Sequence, residues 1–131
     1  MNPDEQPPFA RYMNMNITHV SKDRVLGQIK VTEQLSNRNN VLHGGALMAL
    51  ADNLGGTAAT ANLPSGTSTA TIESKTNFFA GIAIGDTAHA ECTPLHRGKT
   101  TMVFQTKITR DDGKLAALVT QTQIVLRPEK A

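Results

Sequence analysis

The run His43-Gly44-Gly45-Ala46-Leu47-Met48-Ala49-Leu50-Ala51-Asp52 sets two chemical groups on one short stretch of chain. A helix that starts at the glycines turns its first backbone N–H groups outward with no internal partner, and its dipole favours negative charge at that end. Glycine lets a ligand approach such a backbone closely. Asp52 then interrupts an apolar pattern, where a carboxylate is costly unless it has hydrogen-bond partners or a chemical task. Donors for an oxygen that gains charge, and an acid that attacks or activates water, are the two requirements of acyl hydrolysis. Each residue also has a plain structural reading. His43 can be a capping or packed side chain, Gly44 and Gly45 a tight entry to the helix, and Asp52 a structural polar group.

The helix that carries these groups is the one long helix of the chain. Leu47, Leu50, Ala51, Leu54, Ala58 and Ala61 recur at i, i+3, i+4, i+7 from Ala46 to about Asn62, and Leu63-Pro64-Ser65-Gly66 stops it. Its second face, Met48, Asp52, Gly55, Gly56 and Ala59, is built from small residues where a solvent-facing helix would show Lys, Glu and Gln. That face is therefore expected to be covered at close backbone distance, by sheet or by another chain.

Strand patterns flank the helix on both sides. Val25, Ile29 and Val31 alternate with Gln28, Lys30 and Thr32, and Ser21-Lys22-Asp23 reads as the hairpin turn before them. Asparagines at 37, 39 and 40 suit a loop, because they bond their own backbone and tolerate left-handed geometry. Alternation returns over 67–80, 87–97, 100–110 and 115–126, with Gly85-Asp86 and Asp111-Asp112-Gly113-Lys114 as turns. Met102, Phe104, Thr106 and Ile108 share one side of their strand. The order is two strands, one helix, four strands. Strands joined by tight turns pair antiparallel, and a helix apolar nearly all round must be wrapped by the sheet, an α+β architecture.

Composition bounds the rest. The 131 residues suffice for one core and not for two. A single domain is expected over 15–127, with a tail or short helix at 1–14 (Phe9 to Met13) and a C-terminal tail at 128–131. Little chemistry is expected of the polar, proline-rich start. The net charge of +2, from thirteen basic and eleven acidic side chains, shows no basic stripe for nucleic acid. The single cysteine, Cys92, excludes an internal disulfide framework, fits a reducing compartment and reads as a small buried hydrophobe. With neither a long apolar run nor a charged leader, no membrane partner is expected, and the cytoplasm is the expected location. There is no G-x-S-x-G elbow, and the four histidines lack the spacing that zinc requires, so neither a serine triad nor a metal is expected.

Taken in order, "NRNNVLHGGALMALAD", "TIESKTNFF" and "HRGKTTMVFQTKITRDDGKLAALVTQT" resemble the hotdog-fold acyl-CoA thioesterases of the phenylacetate-pathway (PaaI-like) type, over residues 15 to 127. The resemblance implies a curled antiparallel sheet around one central helix, dimers joined edge to edge, and dimers paired into a homotetramer. It implies an acyl-CoA substrate with an aromatic or medium-chain acyl group, and no cofactor. It assigns the Gly44 N–H to the thioester carbonyl, His43 to shaping that end of the site, and Asp52 to attacking the acyl carbon or activating water. By the same likeness Asn37 helps hold the water or the aspartate, and Thr71 places a hydroxyl near that water. Asn40 stands where the family often has glycine, and asparagine can make the same turn.

Gly45 and Met48 join the substrate-binding set, with Met48, leucines and alanines as pocket lining. His96, Arg97 and Lys99 could pair with the phosphates of coenzyme A, since guanidinium and ammonium groups suit phosphate; the alternative is a solvated turn. Gly44 and Asp52 lie eight positions apart, on the order of 12 Å along a helix axis. A carbonyl held by Gly44 must therefore meet Asp52 of a different subunit, which makes a homodimer the catalytic unit. A hotdog hydratase or dehydratase, and a non-catalytic acyl-CoA binding or sensor module, are the competing readings.

Overall fold

The computed structural model describes residues 2–129. A short helix α1 (Pro8–Tyr12) precedes strands β1 (Asn16–Val20) and β2 (Val25–Lys30). After a 3-10 turn at Glu33–Leu35 comes the long helix α2 (Gly44–Asn62). Strands β3 (Ser68–Phe78), β4 (Thr87–Arg97), β5 (Thr101–Thr109) and β6 (Leu115–Leu126) complete the chain. All six strands form one antiparallel sheet in the order β1-β2-β4-β5-β6-β3, curled around α2. This is the hotdog architecture. Among the described residues no helix is long and apolar enough to cross a membrane.

Alternation places the core as the sequence pattern requires. Val25, Ile29 and Val31, and Met102, Phe104, Thr106 and Ile108, point inward and are buried. They meet Leu47, Leu50, Ala51, Leu54 and Ala58 of α2. Full burial of each leucine contributes about 1.5–3 kcal/mol. Cys92 is buried in the same core, and desolvation pushes its thiol up to about 11 while Thr106 opposes the shift, so the group stays protonated. The β5–β6 turn uses Gly113 at φ 86, and Asp112 Oδ1 accepts from Lys114 N at 2.9 Å.

One connection differs from the expectation of successive hairpins. The Gly85-Asp86 turn does not pair β3 with β4. Instead β3 lies at the far edge on β6, and β4 returns beside β2. The reason is visible in residues 79–86, which bond to the asparagine loop and to the end of β2. Leu42 N donates to Ile82 O at 2.8 Å, Ile84 N to Asn40 O at 3.2 Å and Gly85 N to Val31 O at 2.8 Å. The turn is the end of a crossover past the start of α2, and Asn40 adopts φ 61 within the partner loop.

The small-residue face of α2 is covered along only half its length. Gly55 and Ala59 are buried, with Gly55 lying against the carboxamide of Gln121 on β6. Asp52 and Met48, one and two turns nearer the N-terminus, are exposed in the single chain. A Cβ added at Gly55 would fall 2.1 Å from Gln121 Cδ, whereas one added at Gly56 meets nothing within 4 Å. Gly55→Ala is therefore expected to destabilise by about 1–3 kcal/mol through overpacking. Gly56→Ala is expected to stabilise by about 0.4–1 kcal/mol through the unfolded chain. Paired thermal or urea melts check this; equal shifts for the two variants would contradict the packing.

Candidate active site

Asp52 projects from the third turn of α2 towards the edge strand β3. Its Oδ1 accepts from Thr71 Oγ1 at 2.8 Å and from Gln121 Nε2 at a longer 3.5 Å. Gln123 Nε2 donates to Thr71 Oγ1 at 2.6 Å, and Gln123 Oε1 accepts from Thr69 Oγ1 at 3.0 Å. With its oxygen occupied by Gln123, the Thr71 hydroxyl directs its own proton to Asp52. One carboxylate oxygen is thus held by the sheet, and Oδ2 accepts no hydrogen bond among the described residues. Both glutamines are about 1% exposed, and the Gln121 Oε1 has no partner among the described residues. A buried amide without full satisfaction costs free energy, which is consistent with a positioning task rather than a stabilising one.

A cleft of about 350 Å³ opens beside Asp52. Thr57, Thr60, Thr69, Thr71, Asn53 and Gln123 line it with hydroxyl- and amide-bearing side chains. Met48 lies outside the cleft lining, on the exposed face of α2. The N-terminal residues 2–7 lie across the cleft, so the segment expected to carry little chemistry borders the acid.

The other chemical group sits at the start of α2. His43 is the N-cap, and its Nδ1 accepts from Gly45 N at 2.8 Å. The imidazole therefore acts here as a cap, and in its neutral form carries its proton on Nε2. Gly45 commits its N–H to that bond. Neither the Gly44 nor the Ala46 N–H has an acceptor among the described residues, and Gly44, the first residue of the helix, is the one of the two that borders a recess. Gly44 borders an apolar recess of about 430 Å³ with Leu42, Leu47, Phe78, Phe79 and Ile82. Asn37 lines the same recess, and its Oδ1 accepts from Asn39 N at 2.8 Å. In one chain, then, Asn37, His43 and Gly44 form one group, and Asp52, Thr71 and the two glutamines another.

The basic cluster lies at the opposite end of α2 from Gly44. Arg97 Nη1 pairs with Asp23 Oδ1 at 3.0 Å and donates to Asn62 Oδ1 at 3.2 Å and Lys22 O at 3.1 Å. It ties the β1–β2 turn to the end of the helix. His96 and Lys99 are exposed beside it. Among the described residues, no group of three or more His, Cys, Asp or Glu side chains could hold a metal ion. Gln121 and Gln123 were the site residues that sequence reasoning missed. Their signal was two amides at inward positions of β6, in line with buried Val119 and Val125.

Comparison with known proteins places this geometry. A family model of the thioesterase superfamily matches residues 39–117, which hold both α2 and β3. The 1,4-dihydroxy-2-naphthoyl-CoA hydrolase of Listeria monocytogenes is 29% identical over 119 residues, covering 90% of this chain and 95% of that protein. A Streptococcus mutans protein solved bound to acetyl CoA superposes with a TM-score of 0.81 at 25% identity, over 89% of this chain and 92% of that one. The Escherichia coli PaaI protein from the phenylacetic acid degradation operon superposes with a TM-score of 0.83 at 24% identity, over 95% and 87% of the two chains. The chain belongs to the thioesterase superfamily and is a hydrolase of the hotdog fold.

Proposed function

We propose that the protein is an acyl-CoA thioesterase whose site is assembled by two subunits. The observation that carries this reading is the split of the two chemical groups along one straight helix. Gly44 and Asp52 stand about 12 Å apart along the axis of α2, and no carboxylate side chain spans that gap. The edge strand β3 offers the way to close it. Its Thr71 end bonds Asp52, and its Phe78 end packs at Gly44, where an added Cβ would lie 3.2 Å from Phe78 Cζ. β3 has a free hydrogen-bonding edge, and Ile72, Phe78 and Phe79 are 54–57% exposed along it. Antiparallel pairing of two β3 strands about a two-fold axis near Ser74 and Lys75 brings the Thr71 end of one to the Phe78 end of the other. Two equivalent sites result. The same joint covers Met48 and the open half of the helix face. Pairing of dimers into a homotetramer completes the proposed assembly, and the cytoplasm is the proposed location.

In the shared site the thioester carbonyl oxygen accepts from the Gly44 N–H of one subunit. Asp52 Oδ2 of the other takes a proton from water as the water oxygen bonds to the acyl carbon. The tetrahedral oxyanion forms against the helix N-terminus, where the dipole and the free N–H favour it. Collapse breaks the carbon–sulfur bond, and the coenzyme A thiolate leaves and is protonated. Asn37 lies near the carbonyl end, and Thr71 holds Asp52 in place. The cleft beside Asp52, about 350 Å³ in volume, favours a compact acyl group over a long aliphatic chain. Coenzyme A extends towards solvent, where exposed His96 and Lys99 are the proposed phosphate partners; Arg97 is already engaged with Asp23.

Two substitutions test the roles separately, with thiol release from a panel of aromatic and aliphatic acyl-CoAs as the signal. Asp52→Asn keeps the shape and the acceptor for Thr71, and is expected to lower kcat by about 10²–10⁴ with substrate binding retained. A binding module would show no thiol release before or after the change. Gly44→Pro removes the N–H at a helix position that proline tolerates, and is expected to lower kcat by about 10²–10³ with an unchanged helical circular dichroism signal; Gly44→Ala, which brings the same Cβ against Phe78 but keeps the N–H, is the steric control and is expected to stay well above it. Wild-type turnover in the proline variant would remove the oxyanion role.

A further inference from the structure

We propose that the N-terminal turn, residues 2–7, is the specificity wall of the acyl cleft, clamped in place by the carboxamide of Gln6 on Asn53 and Thr57 of α2. The proposal rests on the thioesterase reading for the identity of the cleft, and its test below is separate from it.

The wall is built rather than draped. Gln6 Oε1 accepts from Asn53 Nδ2 at 2.7 Å, and Gln6 Nε2 reaches Pro3 O at 3.2 Å and Thr57 Oγ1 at 3.5 Å. One side chain thus links the turn to itself and to the helix residue that follows Asp52. The turn is closed further by Glu5 N on Asn2 O at 3.2 Å and Asp4 N on Asn2 Oδ1 at 3.0 Å. Arg11 Nη1 donates to Gln6 O at 2.7 Å. Pro3, Pro7 and Pro8 restrict the backbone, so little freedom remains to be lost on ordering. Behind the turn, α1 and the residues after it are anchored by Ala10, Met13 and Met15, which are buried in the core.

Position gives the wall its consequence. Asn2, Pro3, Glu5, Gln6 and Pro7 supply five of the fourteen residues around the cleft of about 350 Å³, which they share with Asp52 and Thr71. An acyl group seated with its carbonyl near Asp52 extends towards this turn. Its size is then limited by where Gln6 is held, and a ring that fills the cleft presses on Gln6 and Pro3. The core packing of α2 does not depend on the turn, so the wall can be opened without unfolding the domain.

The test uses Gln6→Ala and a chain lacking residues 2–6, each compared with the parent chain. Hydrolysis-resistant thioether analogues, 4-hydroxyphenacyl-CoA and the bulkier 2-naphthacyl-CoA, are titrated by calorimetry, so the readout does not require turnover. The wall predicts that both changes shift the affinity ratio towards the naphthyl analogue by about tenfold or more, with melting temperatures close to the parent. An unchanged ratio, or an equal loss of affinity for both analogues, overturns it. Thiol release from the matching thioesters by the parent and by Asp52→Asn judges the thioesterase reading independently.

Discussion

A straight α-helix cannot deliver its own N-terminus to a side chain two turns further on, and most of what is distinctive in this molecule follows from that constraint. The free Gly44 N–H and the Asp52 carboxylate are rigidly held because they share α2, and they are kept apart for the same reason. Under the proposed reading each half-site is positioned by its own chain and completed by a second. The two-fold axis proposed above meets that requirement, since two antiparallel copies of a rigid element place unlike ends together. The sheet supplies the matching edge. β3 is attached to Asp52 through Thr71 at one end and touches Gly44 through Phe78 at the other, so in the proposed dimer one strand pairing aligns two sites at once.

The second constraint is the orientation of the acid. Asp52 faces solvent in the single chain, yet one of its oxygens is tied to a relay that starts deep in the sheet. Thr69, Gln123 and Thr71 pass hydrogen bonds along β3 and β6, and Gln121 enters through space that only a glycine at 55 leaves open. Buried amides of this kind replace apolar residues that would pack at least as well, so their contribution is to geometry more than to stability. The unpartnered Gln121 Oε1 marks where that exchange is incomplete.

Much of the fold was legible because its signals are local. The leucine spacing of α2 and the alternation of Met102 to Ile108 say which face is buried. Alternation does not say which strand lies alongside, and so β3 was expected to turn back on β4 when it crosses to β6. The residues at the site divide the same way. His43, Gly44 and Asp52 stand out by type and spacing, and Thr71 was reached through family resemblance. Gln121 and Gln123 acquire meaning only from strand pairing. The N-terminal segment reads as a loose tail because its prolines and polar residues have no periodicity. What orders it is a bond between residues 6 and 53, which no local pattern encodes.

The shared site can be tested by making two inactive chains repair one another. Asp52→Asn and Gly44→Pro subunits carrying different affinity tags are mixed, and the heterodimer is isolated. One of its two sites receives Gly44 from the first chain and Asp52 from the second. Thiol release by that heterodimer should recover to about half of the wild-type rate per dimer, far above either parent. A heterodimer no more active than its parents would contradict a site built across the two subunits.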